Sequence, residues 1–138
     1  MRQEEFVASK GSGATLNGKR IRVSGSAELR NGSVAGPLLS ANKRKQLEEK
    51  LTEIGVMKYN LGSVALDLAY VAAGKIDCLW SDTSERGAIA AGIVLVREAG
   101  GLCADFSGGA EHFKSGSIVA GNPKCLRDLC NLTRKFLV

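Results

Sequence analysis

Residues 61–101, LGSVALDLAYVAAGKIDCLWSDTSERGAIAAGIVLVREAGG, decide the fold of this chain. Leu61 to Ala73 is apolar nearly all round, the pattern of a helix buried on several sides. Asn60 is a candidate cap for that helix and Gly74 its stop. Ile76 to Trp80 is a short apolar run of strand type, and Ala88 to Ala99 reads as a second buried helix ending at Gly100-Gly101. Buried helices alternating with strands predict layered α/β architecture.

Downstream, Leu102 to Phe106 is the next strand and Ser107-Gly108-Gly109 turns the chain away. Ser117 to Ala120 is a further strand. Gly121-Asn122-Pro123 then starts a helix reaching about Lys135, with Asn122 as cap and Pro123 in the first turn. Upstream, residues 4–9 and 20–24 carry alternating or β-branched residues, and Asn17-Gly18 between them is a hairpin signal. The chain is therefore expected to open on a β-hairpin. Residues 25–36 are Gly/Ser-rich and read as loop, and residues 37–40 as a short strand. Asn42 caps a helix ending before Gly55, with Leu47, Leu51 and Ile54 on one face.

At 138 residues the chain is one domain that can bury a real core. Only 5% of residues are aromatic, so the core is built from aliphatic side chains. The net charge is +5, which allows phosphorylated or nucleic-acid ligands. Against the latter, the densest cluster, Lys43-Arg44-Lys45, is followed by Glu48 and Glu49, the spacing of a solvated helix face. No aromatics interleave with it to stack on bases. Cys78, Cys103, Cys125 and Cys130 lack metal-binding spacing, and His112 is the one histidine, so a zinc site is not expected. With no apolar leader and no run long enough to span a bilayer, a reduced, soluble, cytoplasmic protein without membrane contact is expected.

Several motifs recur in order. They are Lys10-Gly11-Ser12-Gly13-Ala14 with Asn17-Gly18, then Gly62-Ser63, and then Leu66-Asp67-Leu68-Ala69-Tyr70-Val71-Ala72-Ala73-Gly74. Asp77, Ala90-Ala91-Gly92, Glu98-Ala99-Gly100-Gly101, Asp105-Phe106 and residues 117–123 complete the set. Together they resemble the C-terminal half of the inositol monophosphatase family, in its bacterial branch. The resemblance implies a layered α/β sandwich of the sugar-phosphatase type, with the N-terminal hairpin followed by a mixed sheet flanked by buried helices. It makes residues 1–138 the C-terminal portion of such a domain, with 1–36 as hairpin and loop and 37–138 as an α/β subdomain.

The resemblance also implies a chemistry. The family hydrolyses inositol or sugar phosphate monoesters with magnesium held by converging carboxylates. Most of those carboxylates belong to an N-terminal half whose motifs are not found in this sequence. The aspartate that the C-terminal half contributes falls at Ala88, within Gly87-Ala88-Ile89-Ala90-Ala91-Gly92, and alanine offers a metal no lone pair. Ser81 stands where a glutamate usually meets a substrate hydroxyl, and Tyr59-Asn60 where arginines often precede Gly62-Ser63. Gly62, Ser63, Val64 and Ser81 are the substrate-pocket positions by resemblance. Asp82 and Glu85 are speculative substitute metal ligands; the bland reading of Ser81-Asp82-Thr83-Ser84-Glu85 is a solvated helix start. Asp67, Asp77 and Asp105 are weighed as structural. Ser115-Gly116-Ser117 and Gly121-Asn122 could cradle a phosphate on backbone N–H groups, but a structural turn is the simpler reading.

Three functions remain open: a partial phosphatase inactive alone and binding no magnesium tightly, a silent dimerisation or scaffold module, and a basic nucleic-acid binder, the weakest of the three. A hairpin with an open edge and an uncovered apolar face invites association. A homo-oligomer, or pairing with an N-terminal half or an intact relative, is therefore expected.

Overall fold

In a computed structural model, residues 4–36, 42–82, 86–110 and 117–137 are described. The elements are β1 (Phe6–Ser9), β2 (Gly13–Leu16), β3 (Lys19–Arg20), β4 (Ser33–Ala35), α1 (Asn42–Glu53) and β5 (Met57–Tyr59). There follow α2 (Val64–Ala72), β6 (Cys78–Asp82), α3 (Arg86–Glu98), β7 (Leu102–Ala104), β8 (Ser117–Gly121) and α4 (Pro123–Leu137). They make a three-stranded sheet in the order β1-β2-β3 and a five-stranded sheet in the order β5-β4-β6-β8-β7. In the larger sheet β4 pairs parallel with β5 and β6, while β8 is antiparallel to β6 and β7. The α/β layering and mixed sheet expected from the sequence are present.

Two apolar cores account for the layers. One joins α1 (Leu47, Leu51) and α4 (Leu126, Leu129) to Val34, Cys78, Trp80 and Val119 on one face of the larger sheet. The other joins α2 (Leu68, Val71) and α3 (Ile89, Ile93, Val96) to Ala35, Leu79 and Ile118 on the opposite face. Ala14 of the small sheet closes this second core, so α2 and α3 are sandwiched between the sheets. That position explains why α2 is apolar nearly all round.

The opening hairpin is a three-strand meander instead of the two strands expected. Asn17 and Gly18 both have positive φ (51° and 82°), the backbone of a primed turn, and connect β2 to β3. The earlier turn at residues 10–12 connects β1 to β2, held by the Ser12 N–H bonding to the Ser9 carbonyl at 2.9 Å. Gly13 N–H donates to Glu98 Oε1 at 2.8 Å, tying this turn to the end of α3. The expected strand over 20–24 is cut short because the pairing with β2 ends at Ile21 and the chain then turns to α3. Ile21 N–H bonds to Ala14, and Val23 N–H to Ala99 at the end of α3.

Residues 33–35, expected within a loop, form β4, an inner strand of the larger sheet. Its Val34 and Ala35 are fully buried. The short strand expected over 37–40 lies outside the described residues. Edge strand β5 was not anticipated; all three of its residues are exposed, so no apolar run announces it.

Asn122 caps α4 as expected, its Oδ1 accepting the Cys125 N–H at 2.8 Å. Its Nδ2 donates to Ser24 Oγ at 2.9 Å and to the Ser26 carbonyl at 3.2 Å. Asn122→Ala is expected to cost about 2 kcal/mol in a urea or thermal melt, for the cap and the donors together. Asn122→Asp should not rescue it, since it keeps the cap acceptor but sets a carboxylate against Ser24, which already donates to Asp77. Rescue by aspartate would show that the cap alone matters.

Candidate functional site at the carboxyl ends of β4, β5 and β6

Strands β4, β5 and β6 run parallel, so their carboxyl ends share one edge of the sheet. The connection β4-α1-β5 lies on one face and β5-α2-β6 on the other. Such a divergence opens a crevice beyond the strand ends, where ligands bind in open α/β sheets. Gly36, residues 60–64, Ser81-Asp82 and the first turn of α3 all meet this edge.

Asn60 builds the crevice wall, and not as the helix cap expected. Its Nδ2 donates to the Gly36 carbonyl at 2.8 Å and its Oδ1 accepts the Gly62 N–H at 2.8 Å. One side chain therefore clamps the end of β4 to the loop that starts α2. The cap is Ser63, whose Oγ accepts the Leu66 N–H at 3.4 Å. Gly62 has φ of 88°, a conformation that favours glycine. Asp67 accepts the Leu61 N–H at 3.1 Å from within the same turn. Burial pushes its carboxyl above the ordinary range, and the Leu61 bond offsets part of that. Asp67 thus faces a backbone donor, in keeping with a structural role.

Alternation along β6 puts Cys78 and Trp80 in the α1/α4 core and Leu79 in the α2/α3 core. Ser81, next in the alternation, falls on the α2/α3 face, half-buried and paired with Ile118. Asp82 ends the strand, exposed, opposite Ser117. Ala88 is the third residue of α3. Glu85 lies outside the described residues, as does Ser115-Gly116. So the structure brings Gly62, Ser63, Val64 and Ser81 to one edge and one side of the sheet, with α3 starting beside them.

Sequence reasoning missed Asn60 as a clamp and Gly36 as its acceptor. An Asn two residues before a glycine was the only local signal, and it suits a cap equally well. A Cβ at Gly36 would stand 2.7 Å from Trp80 Nε1, so glycine is required there by packing. On the α1 side of the same edge, a pocket of about 220 Å³ is lined by Val34, Gly36, Glu48, Lys58, Tyr59, Asn60 and Trp80. It shares Gly36 and Asn60 with the crevice, but Ser81 belongs to the other face.

Magnesium needs several hard oxygen ligands converging on one point. Among the described residues no three His, Cys, Asp or Glu side chains converge. Among the described residues at this edge Asp82 is exposed, Asp67 is turned onto a backbone donor, Glu48 lies in the pocket on the α1 side, and position 88 is alanine. That donor set does not suit the metal. The Asp105 carboxylate closes its own turn, accepting from the N–H groups of Ser107 and Gly109.

Comparison with known proteins identifies the family of this fold. The profile of the inositol monophosphatase family matches residues 1–137. The Nus factor SuhB of Pseudomonas aeruginosa is 43% identical over 146 aligned positions, covering 99% of this chain and 53% of that protein. The inositol-1-monophosphatase of Mesorhizobium japonicum is 39% identical, covering 97% of this chain and 52% of its own length. The chain thus spans about half the length of the curated relatives it matches. Among solved structures, the native extragenic suppressor protein suhB of Bartonella henselae superposes with a TM-score of 0.90 at 37% identity, over 96% of this chain and 52% of that one. The Thermotoga maritima IMPase gives 0.86 at 32%, over 97% and 52%. The family profile over residues 1–137, with relatives 39–43% identical along nearly the whole chain, places this chain in the inositol monophosphatase family.

Proposed function

We propose that these 138 residues form the substrate-facing α/β portion of a phosphomonoesterase fold and do not hydrolyse phosphate esters by themselves. The observation that carries this reading is Ala88 in the first turn of α3, beside the Ser81-Asp82 end of β6. The matching position in the family supplies a metal carboxylate, by the resemblance drawn from the motifs. The parent reaction is magnesium-dependent hydrolysis of an inositol or related sugar phosphate, in keeping with the relatives named inositol-1-monophosphatase. Gly62, Ser63, Val64 and Ser81 would line the sugar side of the pocket, and the metal carboxylates would come from elsewhere.

The test is phosphate release from inositol 1-phosphate with magnesium present. The expected result is no release above the blank. Turnover that requires magnesium and vanishes in Glu85→Ala would overturn the reading, since Glu85 would then be a working substitute ligand.

A second reading, a silent module that pairs with itself or an intact relative, is favoured by the outer side of β1. Val7 is 51% exposed there, on a sheet whose other side, at Ala8 and Ala14, packs on the α2/α3 core. The relatives called Nus factor are likewise not named for hydrolysis. Sedimentation should show self-association at micromolar concentration; a stable monomer throughout would remove this reading.

A further inference from the structure

Helix α4 carries its charge on one side. Its exposed residues are Pro123, Lys124, Arg127, Asn131, Arg134 and Lys135. Lys124, Arg127, Asn131 and Arg134 follow at spacings of three, four and three, so they form one stripe roughly 15 Å long. The helix's one acid, Asp128, is half-buried and accepts the Leu29 N–H at 3.0 Å. Among the described residues, neither ion pair, Lys50–Glu53 or Lys75–Glu4, involves α4. Arg134 Nε donates to the Ser107 carbonyl at 3.1 Å, which anchors the far end of the stripe.

Strand β8 runs antiparallel to β6, and β6 parallel to β4, so α4 runs opposite to α1, against which it packs. Arg134 and Lys135 therefore lie at the end where α1 begins with Asn42-Lys43-Arg44-Lys45. The acids of α1, Glu48, Glu49 and Glu53, all come later in that helix.

We propose that the α4 stripe docks the phosphate backbone of double-helical nucleic acid. A duplex presents about one negative charge per 1.7 Å of axis, so several phosphates face a stripe of this length. A protein partner would want apolar or aromatic anchors at the centre of the patch, and the exposed residues of α4 include none. A membrane surface would want apolar side chains flanking the cations, and these too are turned into the core. None of the exposed residues of α4 is aromatic, which also argues against a single strand, held by stacking. Contact with backbone alone makes the surface indifferent to sequence. The Lys43-Arg44-Lys45 run disfavoured this reading when taken with Glu48 and Glu49. On α4 the fold removes the corresponding acid by turning Asp128 inward.

Fluorescence anisotropy on the full chain tests the proposal, with a duplex of about two turns, a single strand of the same length, and anionic phosphatidylglycerol vesicles. Duplex binding in the range of about 1–100 μM is expected, weakening steeply from about 50 to 200 mM salt. The paired variant Lys124→Glu/Arg127→Glu should weaken it tenfold or more and reduce the slope of log K against log salt by about 2. Acidic residues in the first turns suit a helix, so these variants should fold, and Lys124→Gln/Arg127→Gln is the neutral check. Lys10→Glu/Lys19→Glu on the small sheet changes net charge equally and should have a much smaller effect. Absent duplex binding at low salt, equal loss in both paired variants, or preference for the single strand or the vesicles would overturn the proposal.

Discussion

Asp77→Ala is expected to destabilise the fold by about 3–5 kcal/mol, a large share of the roughly 5–15 kcal/mol that holds a domain together. The residue is 8% exposed and sits just before β6. Its Oδ1 accepts from Ser24 Oγ at 2.5 Å and Ser26 Oγ at 2.8 Å, and its Oδ2 from the Ser33 N–H at 2.8 Å. One carboxylate therefore gathers the irregular segment before β4, the start of β4 and the start of β6. Alanine would strand these donors in a part-buried site, where each unmade bond costs about 1–3 kcal/mol. Loss of less than about 1 kcal/mol in urea unfolding would mean that water replaces the carboxylate freely.

Protonation offers a second readout. Burial alone would raise the Asp77 pKa, but the bonds from Ser24, Ser26 and Ser33 overcome it and hold the carboxyl below its ordinary value. A depressed folded pKa gives stability that is complete above the unfolded value, about 3.9, and is lost as pH falls through the folded one. The gap between the parent chain and Asp77→Asn should thus be widest above about pH 5 and narrow as pH falls below the unfolded value. Asp67 slopes the opposite way, because burial raises its pKa and protonation relieves that cost.

The sequence made α2, α3, α4, β6 and β8 legible because each buries an apolar face, and a buried face leaves its period in the chain. Strands β4 and β5 left none. Ser33-Val34-Ala35 is three small residues held by long-range pairing and by Asp77, and Met57–Tyr59 is an exposed edge. Ser63, not Asn60, caps α2, because Asn60 is claimed by a carbonyl 24 positions away, which no local pattern reveals.

The candidate site divides the same way. Gly62, Ser63, Val64 and Ser81 could be named from motifs, and the fold gathers them at one edge because three parallel strands end there. What those motifs could not convey is the clamp between Gly36 and Gly62, since it depends on β4 existing. Nor could they separate the crevice on the Ser81 face from the pocket on the Trp80 face, which requires the alternation of β6 to be placed between two cores.

Gly92→Val is the second large effect, and it bears on the site through helix spacing. A Cβ at Gly92 would stand 2.7 Å from Leu68 Cβ and 3.0 Å from Leu68 Cγ, where α3 crosses α2. The first contact is with an atom one bond from the backbone of α2, so rotating Leu68 cannot relieve it. Replacing a helical glycine by alanine gains about 1 kcal/mol of propensity, but overpacking a tight core costs about 1–3 kcal/mol or more. Gly92→Ala should therefore be neutral to destabilising by about 2 kcal/mol, and Gly92→Val should lose about 3 kcal/mol or more. Because Leu68 carries the clash, Leu68→Ala combined with Gly92→Ala should cost less than the two single changes summed, by about 1 kcal/mol or more. The rescue stays partial, since alanine at 68 keeps its Cβ. Helices forced apart here would also move Gly62–Val64 away from the start of α3, because both segments ride on the amino ends of this pair. A Gly92→Ala chain that melts higher than the parent would show that the two helices separate freely. The close-packed crossing would then not be what holds the two sides of the crevice together.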